Sequence, residues 1–180
     1  MSNPLDPKED YSIPKSPSMY MKFEESEDGT EFMPLASAIT GYEYWNVDNK
    51  PVRSAEAFDE IPEDIKKKDG KPEPIKHFWA FPVWDFADKK VKVLQITQKT
   101  IMTAIRDYTR NAKWGSPIMK YSFTVKRDDS SDITRYTTMA NPSDPTIDYA
   151  ITEAWEQAVQ NGFDITRLYE GGDPFTAEKK

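Results

Sequence analysis

The residues of this chain best suited to chemistry are cations and aromatic rings, which alternate along its middle. Residues 72–127 carry 11 lysines and arginines against 4 aspartates and glutamates, although the whole chain has a net charge of −7. The aromatic side chains of this stretch include Phe78, Trp79, Phe81, Trp84, Phe86, Trp114 and Tyr121. Because cations neutralise phosphates and flat rings stack on unpaired bases, this combination predicts a surface for single-stranded nucleic acid.

Acidic segments flank the basic middle on both sides. Residues 1–71 carry 9 basic against 16 acidic side chains, and residues 128–180 carry 4 against 11. We expect this flanking acid to limit how tightly the basic surface binds, since its negative charge resembles that of nucleic acid itself.

The residue types that most enzymes use are scarce. The chain contains no cysteine, which excludes disulfides, iron–sulfur clusters and thiol chemistry, and its only histidine is His77. Since His77 falls inside an apolar strand pattern, we predict a structural role for it rather than metal binding or base catalysis. The seven glycines show no phosphate-loop spacing. The sequence therefore predicts a protein that is not an enzyme and that uses no cofactor or metal.

Two strands should position many of the cations and rings. Residues 75–86 are apolar on both alternating faces, which is typical of a central strand or of a strand that carries a binding face. Pro82 predicts a bulge or a sheet edge there. Residues 89–96 alternate and should form a hairpin with the first strand. This alternation places Val91 and Val93 inward, and Lys90 and Lys92 outward.

A helix should follow the hairpin over residues 98–111, with Thr97 as its N-cap. Its buried stripe is Ile101, Ala104, Ile105 and Tyr108, and cations lie off that stripe at Lys99, Arg106 and Arg110.

Periodicity also predicts elements on either side. Structure should begin at residues 19–23, and a long strand over 31–47 should bend near Pro34 or Gly41. Residues 48–74 form a long polar connection that is functional or mobile. Strands follow over 118–127 and 133–140 around an acidic turn, and a helix should cover 149–161.

This order of elements predicts a mainly β protein with two helices, a five-stranded Greek-key barrel of the OB type plus a C-terminal helix. The domains would be a flexible arm over 1–18, an OB-fold nucleic-acid-binding domain over 19–145, a C-terminal helix over 146–168 packed on or beside the barrel, and a flexible tail over 169–180. Oligonucleotides cross the second and third strands of such barrels. The acidic turn between the fourth and fifth strands would repel phosphate.

The predicted nucleic-acid-binding residues are the cations and rings of this path. Those before the helix are Trp45, Lys50, Arg53, Lys76, Phe78, Trp79, Trp84, Lys89, Lys90 and Lys92. Those in and after the helix are Lys99, Arg106, Arg110, Lys113, Trp114 and Lys120. Each ring taken alone is more readily a core residue than a stacking platform, because large rings usually bury. Trp114 is expected to be exposed.

Several blocks of this sequence resemble the single-stranded DNA-binding proteins of tailed bacteriophages. The blocks are Tyr20-Met21-Lys22-Phe23, Ile39-Thr40-Gly41-Tyr42-Glu43-Tyr44-Trp45, Lys76-His77-Phe78-Trp79-Ala80-Phe81-Pro82-Val83-Trp84 and Leu94-Gln95-Ile96-Thr97-Gln98-Lys99-Thr100-Ile101. The resemblance implies an OB fold and sequence-tolerant coating of exposed DNA during phage replication or recombination. It also implies an acidic C-terminal tail with an aromatic tip that contacts replication or recombination proteins and competes with DNA. Asp173, Pro174 and Phe175 are similar to that tip and are the predicted partner-binding residues.

Two other functions remain open at this point. The same aromatic surface would suit a non-enzymatic protein–protein adaptor or host-factor inhibitor of phage origin, and a virion structural component is a further alternative. No apolar run approaches the ~20 residues of a membrane span. Residues 1–17 show no hydrophobic signal-peptide core. We therefore expect a cytoplasmic protein, in the cytoplasm of the host cell if it is viral.

Overall fold

A single seven-stranded antiparallel sheet dominates the computed structural model, which describes residues 19–175. Its strands are β1 (Thr30–Pro34), β2 (Ile39–Trp45), β3 (Pro51–Ser54), β6 (Lys76–Asp85), β7 (Lys90–Ile96), β8 (Ser122–Asp128) and β9 (Arg135–Asn141). A small separate hairpin consists of β4 (Lys67–Lys68) and β5 (Lys71–Pro72). The helices are α1 (Lys99–Arg110), α2 (Pro145–Gln160) and a 3-10 helix (Ile165–Glu170). The prediction of a mainly β protein is confirmed. The predicted flexible arm over 1–18 lies outside the described residues.

The centre of the sheet is β6, the strand predicted from its two apolar faces. β6 pairs with β7 along one edge, and with β2 and then β1 along the other. Pro82 lies where the pairing passes from β2 to β1, and its carbonyl oxygen accepts a hydrogen bond from the Leu35 amide at 3.0 Å. The missing N–H of Pro82 therefore faces the interruption between β1 and β2, which explains how a proline is tolerated in a central strand.

The sheet continues from β1 through β8 to β9, and no pairing between β7 and β9 closes it within residues 19–175. Residues 19–23 lie across this gap. The Met21 amide donates to the Val93 carbonyl at 2.8 Å, and Arg127 Nη1 donates to the Phe23 carbonyl at 3.1 Å. The Phe23 ring also contacts Tyr136 of β9, with centroids 6.2 Å apart. This N-terminal strap thus joins β7 to β8 and β9.

The inner face of the sheet holds the main core. Phe32, Phe81 and Phe123 are buried there against α1, which contributes the buried side chains of Ile101 and Ile105. The Phe32 ring lies 6.2 Å from the Phe81 ring and 5.8 Å from the Phe123 ring, both in tilted arrangements. An aromatic-rich core is the expected result for a chain with 13% aromatic residues.

The outer face of β6 and β7 is also covered, by the C-terminal helix that the sequence predicted to pack on or beside the barrel and by the segment that follows it. Val91 and Val93, predicted to face inward, are buried, but on this outer face under the C-terminal segment and not in the main core. Ile151 of α2 packs with Val91, and Leu168 of the 3-10 helix packs with Val93. Both faces of β7 are therefore buried, because residues 145–175, hereafter the C-terminal cover, add a second layer.

The connection over 48–74 contains more structure than its polar composition predicts. Ile65 is buried, and the Val47 amide donates to the Asp64 carbonyl at 2.8 Å. The Tyr44 hydroxyl donates to Asp64 Oδ1, also at 2.8 Å. These contacts join single residues rather than periodic faces, so periodicity could not reveal them.

Two aspartates cap the helices of the C-terminal cover, and we expect them to make it sensitive to acid. Asp144 and Asp164 accept hydrogen bonds from the hydroxyl groups and the amides of Thr146 and Thr166, which hold the pKa of each carboxyl below its usual range. Because these pKa values are lower in the folded state, the stabilisation is present above the unfolded pKa and is lost as pH falls through the folded pKa. Below about pH 4 the cover should lose hydrogen-exchange protection, corrected for intrinsic rates, before the sheet does.

Replacing both aspartates by asparagine provides the control for this pH prediction. Asparagine also caps helices but carries no charge. The Asp144→Asn, Asp164→Asn variant should keep protection at neutral pH and lose the selective acid response. Equal loss of protection in cover and sheet of the unmodified protein would contradict the prediction.

Candidate nucleic-acid interface

A shallow groove of about 220 Å³ lies between the start of β6 and the exposed side of α1. Its lining side chains are His77, Trp79, Lys99, Met102, Thr103 and Arg106. The groove brings together three of the predicted binding residues, namely one ring and two cations. Lys76 is exposed but does not line the groove, because as the neighbour of His77 in β6 it points to the other face of the strand.

Strand β6 supplies the aromatic side of the groove. Trp79 packs partly against the main core and stays half-buried, so its ring is held in place while part of its surface remains open. His77 lies two residues earlier and therefore on the same face of the strand. The His77 ring contacts the Tyr42 ring of β2, with centroids 5.1 Å apart. The prediction placed His77 inside a strand, but it is exposed because β6 begins only one residue before it.

Helix α1 supplies the cationic side. Lys99, Arg106 and Arg110 are separated by seven and four residues, which at ~100° per residue places them within about 20° of one direction. All three are exposed, and the opposite face buries Ile101 and Ile105. This α1 cationic stripe extends over about 16 Å at 1.5 Å per residue. Such a row of cations is suited to successive phosphates of one strand.

The charges of the groove are not neutralised locally. Within residues 19–175 no carboxylate lines the groove. Arg106 Nε lies 3.6 Å from Asp107 Oδ1, but both side chains are about half exposed or more, with 49% and 67% of their surface open. An ion pair this exposed contributes little. The Arg106 guanidinium therefore remains available to an anionic ligand.

Phe78 and Trp84, predicted as stacking platforms, are buried instead. Phe78 has no exposed surface and packs under Leu168, while Trp84 packs with Ile151 of α2. The outer face of β6 and β7 is the surface that an OB-type protein would offer to DNA. In this structure the C-terminal cover occupies it.

Two predicted cations are also withdrawn from solvent. Lys92, predicted to face outward, is buried, and its Nζ lies 2.8 Å from Asp85 Oδ2 and also bonds to Asp88. Arg53 Nε lies 2.9 Å from Glu43 Oε2 and donates to Gln95 Oε1 at 3.0 Å. Each charge is compensated by a carboxylate, so neither residue is a free phosphate contact.

The remaining predicted residues lie outside the groove. Lys89 and Lys90 are exposed at the β6–β7 turn, about 26 Å along β6 from His77 at 3.3 Å per residue. Trp114, predicted to be exposed, is half-buried between Tyr108 and Tyr121, with centroids 5.7 and 5.1 Å away. The other exposed members of the predicted set are Trp45, Lys50, Lys113 and Lys120.

The predicted partner-binding tip belongs to the C-terminal cover. Pro174 is buried, and its carbonyl oxygen accepts hydrogen bonds from the Asp164 amide at 2.9 Å and from Arg167 Nη1 at 3.2 Å. The Phe175 ring lies 5.0 Å from the Phe163 ring in an edge-to-face contact. Residues 169–175, expected in a flexible tail, are thus packed against the chain itself.

Sequence reasoning missed His77, Met102 and Thr103 as lining residues. Thr103 falls between Lys99 and Arg106 on the helical repeat, so a search for partners of the cationic stripe would have found it. His77 and Met102 join the groove only through the packing of α1 beside β6, for which the sequence carries no local signal.

A second, larger cleft of about 780 Å³ lies near the β6–β7 turn. Its charged lining includes Lys22, Lys92 and the carboxylates Glu24, Asp28, Glu31, Asp85 and Asp88. The excess of carboxylates makes this cleft a poor site for phosphates. The α1 groove is therefore the better candidate for nucleic acid.

Comparisons of this chain with protein-family models, curated proteins and solved structures found no match. Residues 19–175 contain no group of three or more histidine, aspartate or glutamate side chains placed to hold a metal ion. Among the helices of that part of the chain, none has the length and apolar character needed to cross a bilayer.

Proposed function

We propose that this protein binds single-stranded DNA in the α1 groove, by stacking bases on Trp79 and by pairing phosphates with the α1 cationic stripe. The observation that carries the proposal is the meeting of a fixed, partly open tryptophan with exposed cations and no carboxylate. Base stacking contributes about 1–3 kcal/mol per base and tolerates any sequence. Cations add a salt-dependent attraction to the backbone.

We also propose that the sheet is an OB-type fold. In this interpretation β1 with β2 forms the first strand, and β6, β7, β8 and β9 form the second to fifth. The antiparallel pairing of these strands and the position of α1 between the third and fourth support it. The N-terminal strap takes the place of the pairing that would close the barrel. The DNA path lies on the α1 side because the C-terminal cover occupies the usual outer face.

We propose the biological setting from the resemblance of the sequence blocks to phage single-stranded DNA-binding proteins. A protein that coats exposed strands during phage replication or recombination acts by binding alone, so the proposal includes no catalysed reaction, metal or cofactor. It also places the protein in the host cytoplasm, where replicating DNA is exposed. Replication or recombination proteins are proposed partners, through the C-terminal cover rather than through a free tail.

The experiment is a titration of the protein with a dT oligonucleotide of about 30 nucleotides, followed by tryptophan emission at low and moderate salt. We expect strong quenching that weakens as salt rises. The Trp79→Phe variant should retain binding by mobility shift but lose most of the quenching. Trp84→Phe, which changes a tryptophan under the cover, should leave the quenching intact. If DNA binds but the quenching is unchanged in Trp79→Phe, the binding site lies away from Trp79.

A protein–protein adaptor is the second candidate, and one feature of the surface favours it. Trp45, Val47 and Ile61 are exposed by 44%, 65% and 63% around one end of β2. The Lys66 amide donates to the Trp45 carbonyl and the Val47 amide donates to the Asp64 carbonyl, so the loop carrying Ile61 lies against this strand end. Absence of both quenching and mobility shift at low salt would favour the adaptor.

A further inference from the structure

The polar groups of the α1 groove are mostly hydrogen-bond donors. Arg106, Lys99 and the Trp79 indole offer N–H groups and no acceptor, while Thr103 and His77 offer both kinds of group. Within residues 19–175 the lining includes no carboxylate and no carboxamide, the side chains that accept hydrogen bonds most readily. The groove therefore suits a partner that presents acceptors.

The four DNA bases differ in the hydrogen-bond acceptors and donors that they present. Guanine presents O6 and N7 as acceptors on one edge, and thymine presents O4. Adenine and cytosine instead present an amino group at the equivalent position, N6–H₂ and N4–H₂. An amino group directed at an arginine finds no acceptor there and loses part of its hydration without a replacing hydrogen bond.

We propose that the groove prefers keto bases, guanine and thymine, over amino bases, adenine and cytosine. This inference rests on the proposed function, since it names the base class that the same site selects. Arg106 is the discriminating residue because its planar fork donates two parallel hydrogen bonds, the geometry that reads guanine O6 and N7. Lys99, a single point charge, and Arg110, outside the groove lining, contact phosphates. Stacking on Trp79 adds affinity without selectivity.

The test compares bases of the same ring system that exchange a keto group and the adjacent ring N–H for an amino group and an unprotonated ring nitrogen. A strand of about nine nucleotides carries abasic sites at every position except the centre, so that one base is available and neighbouring bases do not stack. Hypoxanthine is compared with adenine, and thymine with 5-methylcytosine, because each pair has one ring system and exchanges an oxygen for an amino group. Affinity at low salt and the quenching of Trp79 emission are measured for each strand.

We expect each keto base to bind roughly tenfold more tightly than its amino partner, the effect of one good base contact. Arg106→Lys keeps the charge and removes the fork, so the ratio should fall close to one. Lys99→Gln should weaken all strands to the same extent and leave the ratio unchanged.

Failure of the inference and failure of the proposed function give different results. If each keto base and its amino counterpart bind with equal affinity, while binding and quenching are intact, the keto preference alone is overturned. A preference that survives in Arg106→Lys would overturn the role of Arg106. If the dT oligonucleotide of about 30 nucleotides neither binds nor quenches, both the preference and the proposed function fail.

Discussion

Replacing Lys99 and Arg106 together by glutamate is expected to weaken the binding of a dT oligonucleotide by roughly 100-fold at low salt. The two cations lie on one side of α1, seven residues apart, and no carboxylate lines the groove between them and Trp79. Each charge-assisted contact contributes about 1.5 kcal/mol, so losing two removes about 3 kcal/mol. The slope of log affinity against log salt should fall by at least about 0.7, which is the value for the one phosphate of a single strand that Lys99 contacts.

A matched variant distinguishes the loss of contacts in the groove from a general effect of net charge on DNA affinity. Lys89→Glu with Lys90→Glu makes the same change in net charge at the opposite end of β6, about 26 Å away. We expect its affinity to fall by less than about threefold at moderate salt, where the Debye length is ~8–10 Å. If the turn variant loses as much affinity as the groove variant, the DNA path lies along the β6–β7 hairpin instead.

Replacing Lys92 by methionine should lower the free energy of unfolding by about 3 kcal/mol without changing DNA affinity. Lys92 Nζ lies 2.8 Å from Asp85 Oδ2, and both side chains are at least nine-tenths buried. Removing one partner of a buried ion pair leaves the other charge uncompensated, which typically costs 3–5 kcal/mol. Methionine keeps most of the side-chain volume, so the loss reports on charge rather than on a cavity. Urea unfolding followed by circular dichroism measures it.

A double variant identifies the cause of that loss. Asp85→Asn combined with Lys92→Met removes both charges and should recover at least half of the lost stability, because the uncompensated carboxylate is gone. The amide oxygen of the new side chain can still accept the hydrogen bond that Asp85 Oδ1 receives from the Ala87 amide at 2.9 Å. No recovery would mean that packing around Lys92, rather than the charge of Asp85, determines its contribution.

The parts of the fold that follow from local periodicity were predictable from the sequence. β6 and α1 are each predicted one residue longer at each end than their observed bounds, because β6 is a short run that is apolar on both faces and apolar residues repeat every third or fourth position in α1. The hairpin of β6 and β7 follows from the turn between two such strands. These patterns depend only on neighbours along the chain.

The errors concern what lies against each face. The sequence predicted a C-terminal helix packed on or beside the barrel but not which face it covers, because its docking on the outer face of β6 and β7 depends on contacts between Ile151 and residues some 60 positions away, such as Val91. Alternation along β7 predicted that Lys92 points outward. Alternation depends only on neighbours in sequence, and it contains no information about the carboxylate of Asp85, which pairs with Lys92 across the hairpin. The candidate site therefore contains Trp79, Lys99 and Arg106 on the α1 side, and it does not contain the buried Phe78 and Trp84 of the outer face.

The N-terminal strap has a consequence for the order in which the chain folds. Its contacts join Met21 to Val93 and Phe23 to Arg127, the latter across 104 positions of sequence. During synthesis the strap leaves the ribosome before the strands of the sheet, and its partners β8 and β9 emerge last among those strands. Contacts this distant in sequence form slowly. We therefore expect Met21 and Phe23 to stay exposed on the nascent chain until the β6–β7 and β8–β9 hairpins have formed. The strap would then be among the last segments of the fold to pack.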